Sequence, residues 1–196
     1  ANDGEIVAGR GFWPGLCTSL KHNCRFASFV LLAKGSYPAE LDIPLPFSLV
    51  SNIESKNELE VMPAYWFMYN AYALARNAWK FQARDSRIHA DQKMEFDYLA
   101  PDTVEEVFAA LELLEEWTAK AWMRSHGQDP AKAERAELLE KGRHLLMHEP
   151  DAAANLEILG ERMEHSRRKV LILKAPKAYA IYREMLHYYA MKNLVG

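Results

Sequence analysis

Two patterns of apolar and polar residues follow one another along this chain. Residues 2 to 37, read in sixes, give NDGEIV, AGRGFW, PGLCTS, LKHNCR, FASFVL and LAKGSY. The second column (Asp3, Gly9, Gly15, Lys21, Ala27, Ala33) is small or acidic except at Lys21, and the fifth (Ile6, Phe12, Thr18, Cys24, Val30, Ser36) is small or apolar throughout. A six-residue period predicts short strands meeting at tight corners, with small residues where the backbone turns and inward side chains stacked from one turn of chain to the next. This is the pattern of a left-handed parallel β-helix, three hexads to a coil. Its first column is weaker, since Asn2, Ala8 and Pro14 stand where a large apolar residue is expected and only Leu20, Phe26 and Leu32 supply one. A small antiparallel sheet is the alternative reading of the same spacing. Two coils fall short of the roughly three repeats a self-sufficient stack requires. Upstream β-helix coils of the same protein, or another subunit, are therefore expected to cover the open end.

The second pattern is helical. Pro38, Pro44 and Pro46 keep residues 38–62 extended as a connector, with room for short strands near 47–50 and 59–62. A helix is predicted from about Ala64 to Arg84, and its aromatics (among them Tyr65, Trp66, Tyr72, Trp79 and Phe81) surround most of the circumference. A helix apolar all round is expected to be central and buried. Thr103 and Glu106 read as a capping box for a helix ending near Ser125, with Val104, Val107, Leu111 and Leu114 in its apolar stripe. Asp129 with Pro130 opens a helix to about His148, Asp151 caps another, and Pro176 begins a last one to about Asn193. Residues 170–173 fit either strand or helix. The predicted class is α+β: left-handed parallel β-helix coils (1–37), a Pro-rich connector (38–62) and a helical domain (63–196) of about five helices.

Composition narrows the function classes. Of 196 residues, 49% are hydrophobic and 26% charged, with a net charge of −3, so no global field favours nucleic acid or another polyanion. No apolar run approaches the ~20 residues that span a bilayer, and no membrane partner is expected. Cys17 and Cys24 form neither a disulfide framework nor a CxxC pair, which makes a reducing, cytoplasmic setting the simpler reading. No secretory signal opens the chain, and a first residue of Ala rather than Met fits a processed or cut chain.

The segments GRGFWPG (9–15), PAELDIPLPFSLVSN (38–52), MPAYWFMYNAYALARNAWK (62–80) and DYLAPDT (97–103) resemble a bacterial family of unknown function. Its members look like long hexapeptide-repeat, left-handed β-helix proteins with a helical C-terminal region. The resemblance covers nearly all of the chain and implies that it is the C-terminal portion of a larger protein. It implies no catalytic residue. Relatives by fold include sugar nucleotidyltransferases and trimeric acyltransferases, an analogy of fold alone.

Candidate chemistry is sparse. His22, near a corner of the repeat, is the one candidate general base, since a histidine suits proton transfer near neutral pH. Against this, a lone His in a turn is ordinarily a surface residue, and no partner carboxylate is identifiable. Arg76, Lys80 and Arg84 recur every four residues as a basic ridge suited to an anionic small molecule such as a phosphate or sugar nucleotide. The plainer reading is a solvated face paired with neighbouring carboxylates. His144 with His148, and Glu184 with His187, have helical ligand spacing but lack the further acids of known metal motifs, so no metal is expected. The glycines at 9, 11 and 15 match no nucleotide-binding loop, and the cofactor is unknown. Two functions follow as expectations: a transferase using an activated sugar or acyl donor, or a non-enzymatic scaffold whose helical region binds another protein or forms a homo-oligomer.

Overall fold

The computed structural model describes residues 4–88 and 91–195; Asn2 and Asp3 of the first hexad lie outside them. Two-residue strands recur along the first 43 residues: β1 (Val7–Ala8), β2 (Trp13–Pro14), β3 (Ser19–Leu20), β4 (Arg25–Phe26) and β5 (Leu31–Leu32) straddle junctions between hexads, and β6 (Ser36–Tyr37) and β7 (Asp42–Ile43) follow. β1 to β4 each pair in parallel with the strand three places on, so Val7 faces Arg25, Trp13 faces Leu31 and Ser19 faces Ser36. Flanking amides extend the ladders, with Val7 N donating to Cys24 O at 2.9 Å and Gly15 N to Leu32 O at 2.8 Å.

The corners sit two columns from where the sequence placed them. Gly11, Cys17, Asn23 and Phe29, all in the fourth column, have φ of 72°, 58°, 63° and 57°. Only the first of these is free of the steric cost of a left-handed backbone. The second-column glycine at position 9 serves close approach instead, because a Cβ there would lie 2.6 Å from Ser28 N.

The largest sheet corrects the expected class. β8 (Leu49–Ile53) pairs in parallel with β5 and turns antiparallel onto β9 (Glu58–Met62). The apolar run near residue 170 is β10 (Lys169–Ile172), parallel to β9, giving the strand order β10-β9-β8-β5-β2. The protein is mixed α/β, with short strands in parallel and mixed sheets and a helical C-terminal region, in place of left-handed β-helix coils followed by a helical bundle. The physical reason is that the β8–β9 hairpin interrupts the parallel progression and leaves an edge that only the late strand β10 fills.

The helices differ from expectation chiefly in which is buried. The long aromatic segment breaks at Asn70 (φ −148°, ψ 37°) into α1 (Tyr65–Tyr69) and α2 (Ala71–Arg84). Trp66 alone is buried in α1, where its indole N–H donates to Phe29 O at 2.7 Å; in α2 only Ala73 and Leu74 are buried. The central helix is α3 (Pro101–Ser125), which buries Val104, Val107, Leu114 and Trp117 among others. Its start uses Ala100 as N-cap, with the Thr103 hydroxyl accepting Ala100 N–H at 3.0 Å. Glu106 is thereby released from the capping role.

Beyond α3, a 3-10 turn (Pro130–Lys132) precedes α4 (Arg135–His148), and α5 (Pro150–Ala154) and α6 (Ala175–Val195) follow. α4 lies so close to α3 that a Cβ on Gly142 would fall 1.8 Å from Glu115 O. One apolar cluster joins strand residues such as Leu32, Val50 and Val61 to Leu114, Trp117 and Tyr182 of the helices. No described helix is long and apolar enough to cross a membrane.

Candidate functional site

Most polar groups of α3 are committed to holding the molecule together. Glu106 accepts both the Ser28 N–H (2.9 Å) and its hydroxyl (3.2 Å), fastening α3 to the strands, and burial pushes its carboxyl above the usual range. Arg10 grips Asp102 with two N–H groups, at 3.0 and 2.9 Å, and holds that carboxyl below its ordinary value. Glu115, 3% exposed, accepts from Arg143 at 3.0 and 3.1 Å and from the Tyr179 hydroxyl at 2.6 Å. Burial, then the adjacent carboxylate, raises the Tyr179 phenol to about 12. Farther off, Arg168 forks onto buried Glu164, which Ser166 also contacts at 2.6 Å. Burial alone would raise that carboxyl, yet these donors bring it below the usual range. Asp102, Glu106 and Glu115 tie α3 to other parts of the chain, whereas Glu164 organises its own loop.

The residues singled out by sequence do not converge. His22 is half-buried with its ring against the backbone of Gly4, where a Cβ would lie 2.3 Å from Cδ2. Beside it a shallow, open depression of about 490 Å³ is lined by Gly4, Glu5, Val7, Asn23, Cys24 and Arg25. Among the described residues no hydrogen bond or ion pair fixes the His22 ring. Arg76 and Arg84 are exposed and Lys80 half-buried. Arg76 lies over the Tyr72 ring at 5.9 Å, and among the described residues none of the three cations pairs with a carboxylate. The His144 and His148 rings face each other at 5.1 Å, but no group of three or more metal-ligating side chains exists among the described residues.

What the sequence missed is the exposure of α2. Tyr72, Trp79 and Phe81 are 75%, 67% and 67% exposed, and every described residue from 81 to 88 is open to solvent. Helical spacing puts Tyr72, Arg76 and Trp79 on one face, bordered by Lys80 and Arg84. The result is an exposed helix that combines uncovered aromatic area with positive charge unpaired among the described residues, and it carries no acidic residue. Isolated apolar side chains on a surface are ordinary, whereas a contiguous set on one element marks an interaction site. The absence of acids between residues 71 and 84 is the signal in the sequence that bears on this exposure, and the basic ridge is one border of the apolar face.

Comparison with known proteins adds little chemistry. No protein-family model matches the chain, and no solved structure matches it. Among curated proteins it is similar to an uncharacterized protein of Treponema pallidum (strain Nichols), 47% identical over 195 residues and 100% of this chain. The chain spans 26% of that relative's length.

Proposed function

We propose that this chain is a non-enzymatic association module of a longer protein, with its helical region making the contact. The observation that carries the reading is the exposed aromatic and basic surface of α2, which contrasts with the carboxylates Asp102, Glu106, Glu115 and Glu164, all engaged within the fold. A donor-using transferase would require acid, base and anion-binding groups gathered in one cavity. His22 and the Arg76 ridge instead occupy separate elements, and the depression beside His22 is wide and shallow. The relative's much greater length agrees with a module that works within a larger assembly.

A photo-crosslinking residue placed at position 79 of the full-length protein, inside its own cells, tests this. A discrete crosslinked species is expected from position 79 and none from the exposed control position 137 on α4. Equal, diffuse labelling from both positions would remove the basis for the reading.

A further inference from the structure

The charge pattern of α2 has a counterpart on the same molecule. On α3 the exposed residues Glu105, Phe108, Ala109 and Glu112 follow the spacing of one helical stripe, facing away from the core. Phe108 is 58% exposed, a large apolar side chain in water between two acids. On α2, Arg76 and Lys80 flank Trp79 on one side, and Arg84 lies one turn beyond Lys80, so that Trp79 falls between cations along the helix axis. Acid, aromatic, acid on one helix thus matches cation, aromatic, cation on the other. At 1.5 Å rise per residue, both patterns span about 10–12 Å.

Neither partner is used up within the chain. The α2 cations have no carboxylate among the described residues. Glu105 has no ion pair among them, and Glu112 makes a single bond to Arg135 at 2.8 Å, with both side chains more than half exposed. An exposed pair of that kind contributes about 0–1 kcal/mol and exchanges partners readily.

We infer that α2 of one copy of this chain docks on the Glu105–Phe108–Glu112 stripe of a second copy. This rests on α2 being an association element and names its partner. Trp79 against Phe108 removes apolar area from water, and the flanking opposite charges fix register and orientation. The two surfaces differ, so the contact either occurs twice about a two-fold axis or runs head to tail around a ring.

A charge-reversal cycle tests the pairing, read by analytical ultracentrifugation of the purified chain from low micromolar to about 100 μM, a range suited to weak interfaces. Arg76→Glu with Lys80→Glu is expected to weaken self-association by about tenfold or more, and so is Glu105→Lys with Glu112→Lys. The chain carrying all four reversals is expected to return to within about threefold of the original affinity, because attraction is restored with opposite signs. Trp79→Ser and Phe108→Ser, at exposed positions, provide charge-neutral counterparts, and thermal melts check that each variant folds.

If α2 reversal weakens association while α3 reversal does not, or the fourfold variant fails to recover, the pairing is wrong although α2 remains an association element. A chain that stays monomeric throughout also overturns the pairing, and crosslinking from position 79 then decides separately whether α2 meets a different protein. Binding of the unaltered chain to vesicles of anionic phospholipid, insensitive to the α3 reversals and without self-association, would assign the face to a lipid surface instead.

Discussion

α3 and α2 lie close together in sequence and differ in almost every physical respect. α3 has charged residues along its length, yet Asp102, Glu106 and Glu115 each hold another element, and its apolar stripe lies in the common core. α2 has the richer aromatic content and the simpler charge pattern, and it leaves both in water. Charge that is bonded across elements is structural, and most so at Glu115, where removing the partner would strand a buried carboxylate. Charge and aromatic area left open on an exposed helix contribute little to folding and are available to a partner. The number of candidate residues on an element is therefore a poorer guide to function than whether the fold already uses them.

The largest effect that would sharpen this contrast is in the core face of α3. Leu114→Ala should cost about 3–4 kcal/mol in chemical denaturation, because the side chain is fully buried and the tightly packed α3–α4 contact leaves little room to collapse. A cost below about 1 kcal/mol would mean that α3 is not the central helix.

Next is the paired carboxylate. Glu164→Gln should cost about 3 kcal/mol at neutral pH, since Gln cannot receive the Arg168 fork and leaves that guanidinium uncompensated. Glu164 is held below its ordinary value of 4.5, so its contribution is present above that pH and lost as pH falls through the folded value. The gap between the two proteins should thus narrow in acid. A gap that widened there would reverse the assignment.

Glu106 gives the opposite sign. Its carboxyl is raised above 4.5, so its contribution is complete below that pH and declines as pH rises through the folded value. Glu106→Gln keeps an acceptor for Ser28 N–H and avoids burying charge. It should lie within about 1 kcal/mol of the parent and gain on it from acid toward neutral pH, as followed by melts across that range.

The smallest effects are expected at α2 and at the hexad histidine. Trp79→Ser and His22→Ala should each change the stability of the monomer by less than about 0.5 kcal/mol. A loss of 2 kcal/mol or more on Trp79→Ser would erase the comparison, because α2 would then be part of the core.

Local signals were legible to different degrees. The six-residue spacing found the short strands, because two-residue strands joined by tight turns repeat in sequence whatever they later pack against. It did not find the mixed sheet: β10 comes from residues far along the chain, and pairing between distant segments leaves no periodic trace. The last helix was legible from Pro176, and so was the end of α3 near Ser125, but the cap of α3 differs from the one its sequence suggests. Thr103 can serve as N-cap or as the third residue of the helix, and Ser28, from another element, claims Glu106. For the site, residue types and spacing gave the basic ridge Arg76, Lys80 and Arg84 but not its surroundings. The aromatics around α2 predicted burial, and that inference fails when the neighbours needed to cover them are missing.

The sequence by itself determined where chain segments turn, extend or coil, since these depend on proline, glycine, caps and spacing within a few residues. Tertiary structure alone decided which of those segments lie inside, which carboxylates are held by guanidinium and amide donors, and that α2 stands in solvent. Burial and pairing are properties of neighbours brought together from distant parts of the chain, and no local pattern specifies them.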